Sequence, residues 1–370
     1  AATGFLTWFL TAIRLIPFNA LTCAAVTILC AVICFFLLRK ESKEKTECFP
    51  VDRISLIYWE ELLFFLAFLM WTYLAGFRPA AYGTEKFMDY GFMEAMMRST
   101  TLPARDLWYS EGHINYYYGG QYFAVFLTKL SHTKVELTYN LMRTFVAGLA
   151  FAMPFSLVYQ MMSDRMKGLQ KSEKVIKGLP FAAGFTAGTA VSIAGNMHYV
   201  IYAQIIPLIE KLTGKEVSSY WFPDATRYIG YNPYREEDRT IHEFPCYSFV
   251  LGDLHAHVVN IMFVLLVIAL LYVWLRGVRK KTVPVETSMK DGKFWKEQLL
   301  MPHLLVISAL LGMFQWTNFW DFVIYYVVTL GTVLFANIIR FQGKIKKIMV
   351  VTFAQMAEIY LLAYLVILPF

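Results

Sequence analysis

The chain has 370 residues, of which 58% are hydrophobic, 17% aromatic and 16% charged. Soluble domains average about 25% charged residues, so this composition excludes an ordinary soluble domain, and several apolar runs reach ~20 residues, enough to cross a bilayer as a helix. The formal net charge of +7 does not point to nucleic acid, because 21 of the 34 Lys and Arg fall in four short connections, 39–53, 163–178, 276–298 and 340–347. That is the pattern expected of cytoplasmic loops. The fold class implied is an all-α polytopic membrane protein, forming a single transmembrane domain over 1–370.

Taken in chain order, residues 1–14 read as the end of an outward-running helix, as in a fragment of a longer chain. Spans are predicted at 17–38, 54–77, 138–162, 179–206, 246–275, 299–316, 319–339 and 349–369. The run 117–130 has ~14 residues, short for a span, and is expected as a re-entrant or interfacial helix within a first outer loop, 78–137. A second outer loop, 207–245, exceeds the usual connection length. Cys23, Cys30 and Cys34 share one apolar helix, where packing is the default role. With Cys48 and Cys246 they form no metal-type spacing and no disulfide framework.

With the basic connections inside, most chemically suggestive residues fall on the outer side. Glu85 and Asp89 stand at i and i+4, sharing a face if helical, with Met88, Phe92, Met96 and Met97 broadly opposite. The bland reading is a solvated acidic face. Asp253, His255 and His257 follow Gly252 at the predicted start of a long span. They suit direct substrate contact, a divalent metal such as Zn or Mn, or an Asp cap with two interfacial histidines. A helix N-terminus there also suits phosphate. His113 and Asn115 precede Tyr116, Tyr117 and Tyr118, which fit either an aromatic belt or a stacking surface. Trp316 and Trp320 are expected belt residues, and Asp321 a cap or a substrate contact. Arg227 and Arg78 are candidates for a phosphate clamp, and Glu243 belongs to the same outer set. P-loop, GxGxxG, HExxH and GxSxG patterns are absent from the sequence.

Three segments together resemble a known family. Glu85-Lys86-Phe87-Met88-Asp89, Leu102-Pro103-Ala104-Arg105-Asp106-Leu107-Trp108 and Ile114-Asn115-Tyr116-Tyr117-Tyr118-Gly119-Gly120 resemble the YYY membrane-protein family, also called DUF2298. Glu243-Phe244-Pro245-Cys246-Tyr247-Ser248-Phe249, Gly252 to His257 and Asn318-Phe319-Trp320-Asp321-Phe322 follow in the family order. The resemblance covers about 55 to 325. The chain departs from the family pattern at Ala256, His242 and Phe319, where the family has Pro, Asn and Thr.

The resemblance implies a GT-C-like helical bundle, because that family is grouped with the GT-C glycosyltransferases, whose outer loops carry the active site. It implies sugar transfer from a polyprenyl-phosphate donor on the outer face of a prokaryotic plasma membrane, with Asp89 as base and Glu85 beside it. Arg227, Asp253, His255, His257 and a divalent metal ion are the expected sources of positive potential or metal ligation for the departing phosphate. The partners implied are membrane lipid and the lipid-linked donor. A non-catalytic lipid-binding transporter or scaffold, and a metal-dependent lipid-phosphate hydrolase, are the competing readings.

Overall fold

The computed structural model describes residues 1–43, 54–83, 85–167, 169, 173–231, 234–237, 239–280 and 289–370. Cys48 and parts of the basic connections 39–53, 163–178 and 276–298 lie outside them. In chain order the helices are α1 Ala2–Ala12, α2 Ala20–Lys43, α3 Ile54–Gly76, α4 Lys86–Arg98, α5 Gly119–Ser131, α6 Val135–Met166 and α7 Glu173–Ser192. They continue with α8 Ile206–Leu212, α9 Pro245–Leu251, α10 Ala256–Lys280, α11 Gly292–Leu299, α12 Pro302–Thr317, α13 Phe319–Phe341 and α14 Ile345–Ile367. Among the described residues there is no β-strand, only three isolated bridges. Among the described residues six helices, α2, α3, α6, α10, α13 and α14, are long and apolar enough to cross a membrane. A seventh candidate is the pair α11 and α12, bent by 50° where Pro302 restarts the chain. This is an all-α polytopic membrane protein.

Two predicted spans are corrected. The 179–206 segment is not one helix: α7 stops at Ser192, and a π-helical turn, Val200–Ile205, leads into α8. The small residues that dilute α7 also explain it. Gly184 and Gly188 form a GxxxG pair, and a Cβ at either would meet a backbone carbonyl of α6 at 2.7 Å, Phe155 O or Phe151 O. Small residues at this spacing allow backbones to approach closely. The 246–275 segment is divided too, because Gly252 takes the left-handed conformation (φ 74°) and ends α9.

The chain groups into two compact units. The first holds Ala1–Tyr58, Pro79–Val146 and Leu254–Phe370; the second holds Trp59–Arg78 and Ala147–Asp253. In the second unit, the Trp71 indole N–H donates to Ser192, whose hydroxyl donates to the Ala147 carbonyl. These bonds tie the end of α7 to α3 and α6.

The first unit is built around α5. This helix is short for a span, as its sequence predicts, and it packs inside the protein: Gly119 to Phe126, Thr128 and Lys129 are all buried. A helix apolar on every side belongs inside a protein. Trp316 and Tyr118 are likewise core residues, not belt or stacking residues. Trp8 stacks on Trp316 at 4.2 Å, and the Trp8 indole N–H donates to the Tyr118 hydroxyl at 3.0 Å. Trp320, by contrast, is 70% exposed, as a belt residue would be. The hydroxyl of Tyr122 donates to the Gly4 carbonyl, anchoring α1 on the same core. Each aromatic pair of this kind adds about 0.5–1.5 kcal/mol beyond its area.

Two glycines let α5 enter this core. A Cβ at Gly119 would meet Thr317 Cγ2 at 2.5 Å, and one at Gly120 would meet Val259 Cβ at 2.8 Å. The N-terminus of α5 therefore lies against α12 and α10. Gly120→Val should cost about 1–3 kcal/mol by overpacking. Gly277→Ala, which meets nothing within 4 Å in α10, should be neutral or stabilising by about 0.4–1 kcal/mol. Denaturant unfolding of both variants in detergent checks this; equal stability would contradict the packing of α5.

Candidate functional site

In the first unit, the N-terminal ends of α4, α5, α10 and α13 each contribute to a polar cluster. Asp89 lies in the first turn of α4 and is 1% exposed. It is buried with Phe92, Met93 and Met96, so the expected placing of Glu85 and Asp89 on one face opposite Met88, Phe92, Met96 and Met97 is corrected. Glu85, the residue preceding α4, points outward with its side chain 54% exposed. The two carboxylates, one helical turn apart, thus occupy different environments.

Gln121, fully buried in the first turn of α5, braces the inner one. Its Nε2 donates to Asp89 Oδ1 at 2.7 Å and to the Leu254 carbonyl at 2.9 Å. Two donations fix the amide orientation, and Gln121 Oε1 is left buried without a hydrogen-bond partner. Such an atom costs about 1–3 kcal/mol, a cost accepted here in exchange for holding two other elements. The expected meeting of the Asp89 region with the segment after Gly252 is therefore realised through Leu254 and His255.

His255 precedes α10 and caps it through its carbonyl, which accepts from the Val258 and Val259 amides. Its ring Nε2 lies 2.8 Å from Glu85 Oε2. The His257 ring stacks on His255 at 5.6 Å and is exposed. His257 lies in the first turn of α10, directly after the His255 cap, where unpaired amides favour an anion.

A second brace adjoins through α10. Asn260 Nδ2 and Asn318 Nδ2 both donate to Asp321 Oδ2, at 2.7 and 2.8 Å. The Thr317 hydroxyl donates to Asn260 Oδ1 at 2.8 Å. Asp321 is thus held by two amides rather than capping its helix. Buried amides in apolar runs, Gln121 and Asn260, were missed at the motif level. A polar side chain inside an apolar run is itself the signal that points to them.

Tyr116 is exposed and Tyr117 half-buried, with rings 5.4 Å apart. Burial, then the negative charges of Glu85 and Asp89 and the neighbouring Tyr117, push the Tyr116 phenol above its ordinary range. It remains a hydrogen-bond donor beside the acidic pair. His113 and Asn115 are exposed on the loop leading to α5, where His113 bridges Arg105.

The remaining candidates belong to the second unit. Asp253 is 1% exposed and follows the Gly252 turn. Glu243 is exposed and accepts from the Ser248 hydroxyl at 3.1 Å. The Arg227 guanidinium lies 4.8 Å from the Trp221 ring centre, and its Nη1 is buried without a hydrogen-bond partner. Among the described residues no three His, Cys, Asp or Glu side chains are disposed to hold a metal ion, including Asp253, His255 and His257. The residues present do not fit the divalent ion expected there.

Gln121→Leu removes a donor from Asp89 and another from the Leu254 carbonyl. It should lower stability by about 1–3 kcal/mol, read as a shift in the denaturation midpoint. An unshifted midpoint would contradict the brace.

A profile of the family described as Uncharacterized membrane protein (DUF2298) matches residues 2–370. No curated protein and no solved structure matches the chain.

Proposed function

The chain belongs to the DUF2298 membrane-protein family, and from that premise and the Glu85–His255 pair we propose a GT-C-type glycosyltransferase. It moves a sugar from a polyprenyl-phosphate donor to an acceptor hydroxyl, on the side of the membrane away from the basic connections. The observation that carries this reading is a solvent-reachable carboxylate, Glu85, oriented by His255 at 2.8 Å beside the first turn of a spanning helix.

The chemistry asks little of the protein beyond position. A phosphate is a good leaving group, so no acid is needed to protonate it. One carboxylate takes the acceptor proton as its oxygen attacks the anomeric carbon with inversion. Asp89, the expected base, is 1% exposed, whereas the Glu85 side chain is 54% exposed. The reading therefore gives proton abstraction to Glu85 and makes Asp89 a positioning residue that holds Gln121 and, through it, Leu254. The departing phosphate is met by the first-turn amides of α10 and by His257. Tyr116 offers a phenol to the sugar. No metal enters the scheme.

The membrane geometry supports the sidedness. Asp321 and Arg340 stand at opposite ends of α13, about 28 Å apart at the helical rise, which matches a hydrocarbon core of ~30 Å. The carboxylates of the cluster gather at the Asp321 end, and Arg340 leads into the 340–347 basic connection at the other.

Wild-type protein and Glu85→Gln are to be incubated with labelled polyprenyl-phosphate sugars in detergent. The wild type should transfer label, and Glu85→Gln should lose about 10²–10⁴-fold in rate without a change in unfolding midpoint. Label transfer by Glu85→Gln at the wild-type rate would remove Glu85 as the base.

A further inference from the structure

At the far end of α13 a second polar cluster is built around Arg340. From the last turn of the helix, Arg340 Nη2 donates to Gln298 Oε1 at 2.7 Å and Nη1 to Asn337 Oδ1 at 3.4 Å. Asn337 Nδ2 donates in turn to Gln355 Oε1 at 2.8 Å, and Gln355 Nε2 to the Gln298 carbonyl at 3.0 Å. Gln298 stands at the end of α11, the short arm of the 50° bend. All three amides are buried, at 0–1% exposure, while Arg340 is half-buried. The amides spend their donors on one another and turn oxygens to the guanidinium, which is thereby fixed in place.

These partners are neutral. Among the described residues no carboxylate forms an ion pair with Arg340 or Lys344. On α11, Asp291 is engaged as a cap for the Lys293 amide, and Glu297 is exposed. A charge taken partly out of water calls for a counter-charge, and a guanidinium with two of its five N–H groups in use keeps others for a bidentate acceptor. More positive charge gathers around it. Arg340 Cζ and Lys347 Nζ lie 5.2 and 4.9 Å from the centre of the Phe341 ring, so they are within about 10 Å of each other. Lys344 and Arg340 both stand close enough to repel Lys347. Lys344 is the N-cap of α14, whose first turn holds Lys346 and Lys347 and no acidic residue. Cations at a helix N-terminus oppose the macrodipole, and an anion there satisfies both the lysines and the unpaired amides. Membrane topology asks only for basic residues near span ends. It does not ask for a guanidinium fixed between buried amides.

We propose that Arg340 and Lys344, with the field of Lys347, bind the phosphodiester of an anionic membrane phospholipid. Arg340 stands about 28 Å along α13 from Asp321, the thickness of a hydrocarbon core, which puts the cluster at the level of lipid phosphates. Basic pockets between spanning helices are suited to anionic headgroups. A zwitterionic headgroup is a poorer fit, because its own ammonium meets three cations. This site lies on the membrane surface opposite the Glu85 centre, and no step of sugar transfer uses it.

Native mass spectrometry of the full chain in detergent measures its affinity for phosphatidylglycerol and for phosphatidylcholine with the same acyl chains. At ~0.5 M ammonium acetate, diffuse attraction is screened beyond about 4 Å. Wild type should hold phosphatidylglycerol about tenfold more tightly than phosphatidylcholine, and Arg340→Gln should lose about tenfold or more, the worth of charge-assisted hydrogen bonds. Lys344→Gln, exposed and outside the amide network, should lose about threefold or more, which keeps the test decisive if Arg340→Gln does not fold. Lys346→Gln, an equal change of charge at an exposed position on the same turn, is the control and should stay within about twofold of wild type. Equal affinity of wild type for the two lipids would overturn the site. A loss in Lys346→Gln as large as in Lys344→Gln would overturn it too, leaving diffuse charge only. Displacement of phosphatidylglycerol by excess inorganic phosphate would reassign the cluster to free phosphate and end the lipid assignment.

Discussion

The side-chain amide of Gln121 donates to the Asp89 carboxylate and to the Leu254 carbonyl at once, and the arrangement of the candidate site follows from that. A fully buried carboxylate needs donors, and α5 supplies one only because Gly119 and Gly120 let its first turn press against α12 and α10. With α4 and the start of α10 joined through one amide, His255 is brought within 2.8 Å of Glu85. The accessible pair is thus a consequence of the buried brace. The Asp321 brace repeats the device with Asn260 and Asn318, so α10 and α13 are held by polar contacts where hydrophobic driving force between helices is absent.

The placing of these groups at helix N-termini has an electrostatic logic. Carboxylates are stabilised where amides are unpaired, and Asp89 and Asp321 both lie in first turns. The same field favours a phosphate at the start of α10. A site that gathers several carboxylates needs such compensation, and the helix ends provide part of it.

Much of the fold was legible in the residues. Long apolar runs locate α2, α3, α6, α10, α13 and α14, and the basic connections predict their ends. What was hidden depended on contacts. Gly184 and Gly188 lower the hydropathy of α7, and only the approach of α6 shows why they are there. The burial of α5 was unreadable because a 13-residue apolar helix fits an interface and a core equally well. Trp316 and Tyr118 share the composition of belt residues, and Trp8 decides otherwise. In the site, the pairing of residues near 89 with those after 252 was anticipated by charge and topology. The exchange of environments between Glu85 and Asp89 was not, since i and i+4 spacing sets a shared face but not which residue is sealed by Gln121.

The central claim is that Glu85, His255 and the first turn of α10 form one phosphate-facing centre at a single membrane surface. An experimental structure of the full chain with a bound polyprenyl phosphate tests it most directly. The account predicts phosphate density at the first-turn amides of α10, within hydrogen-bonding reach of His257 and beside Glu85. Polyprenyl phosphate held only at the Arg340 end of α13, on the opposite membrane surface, would contradict it.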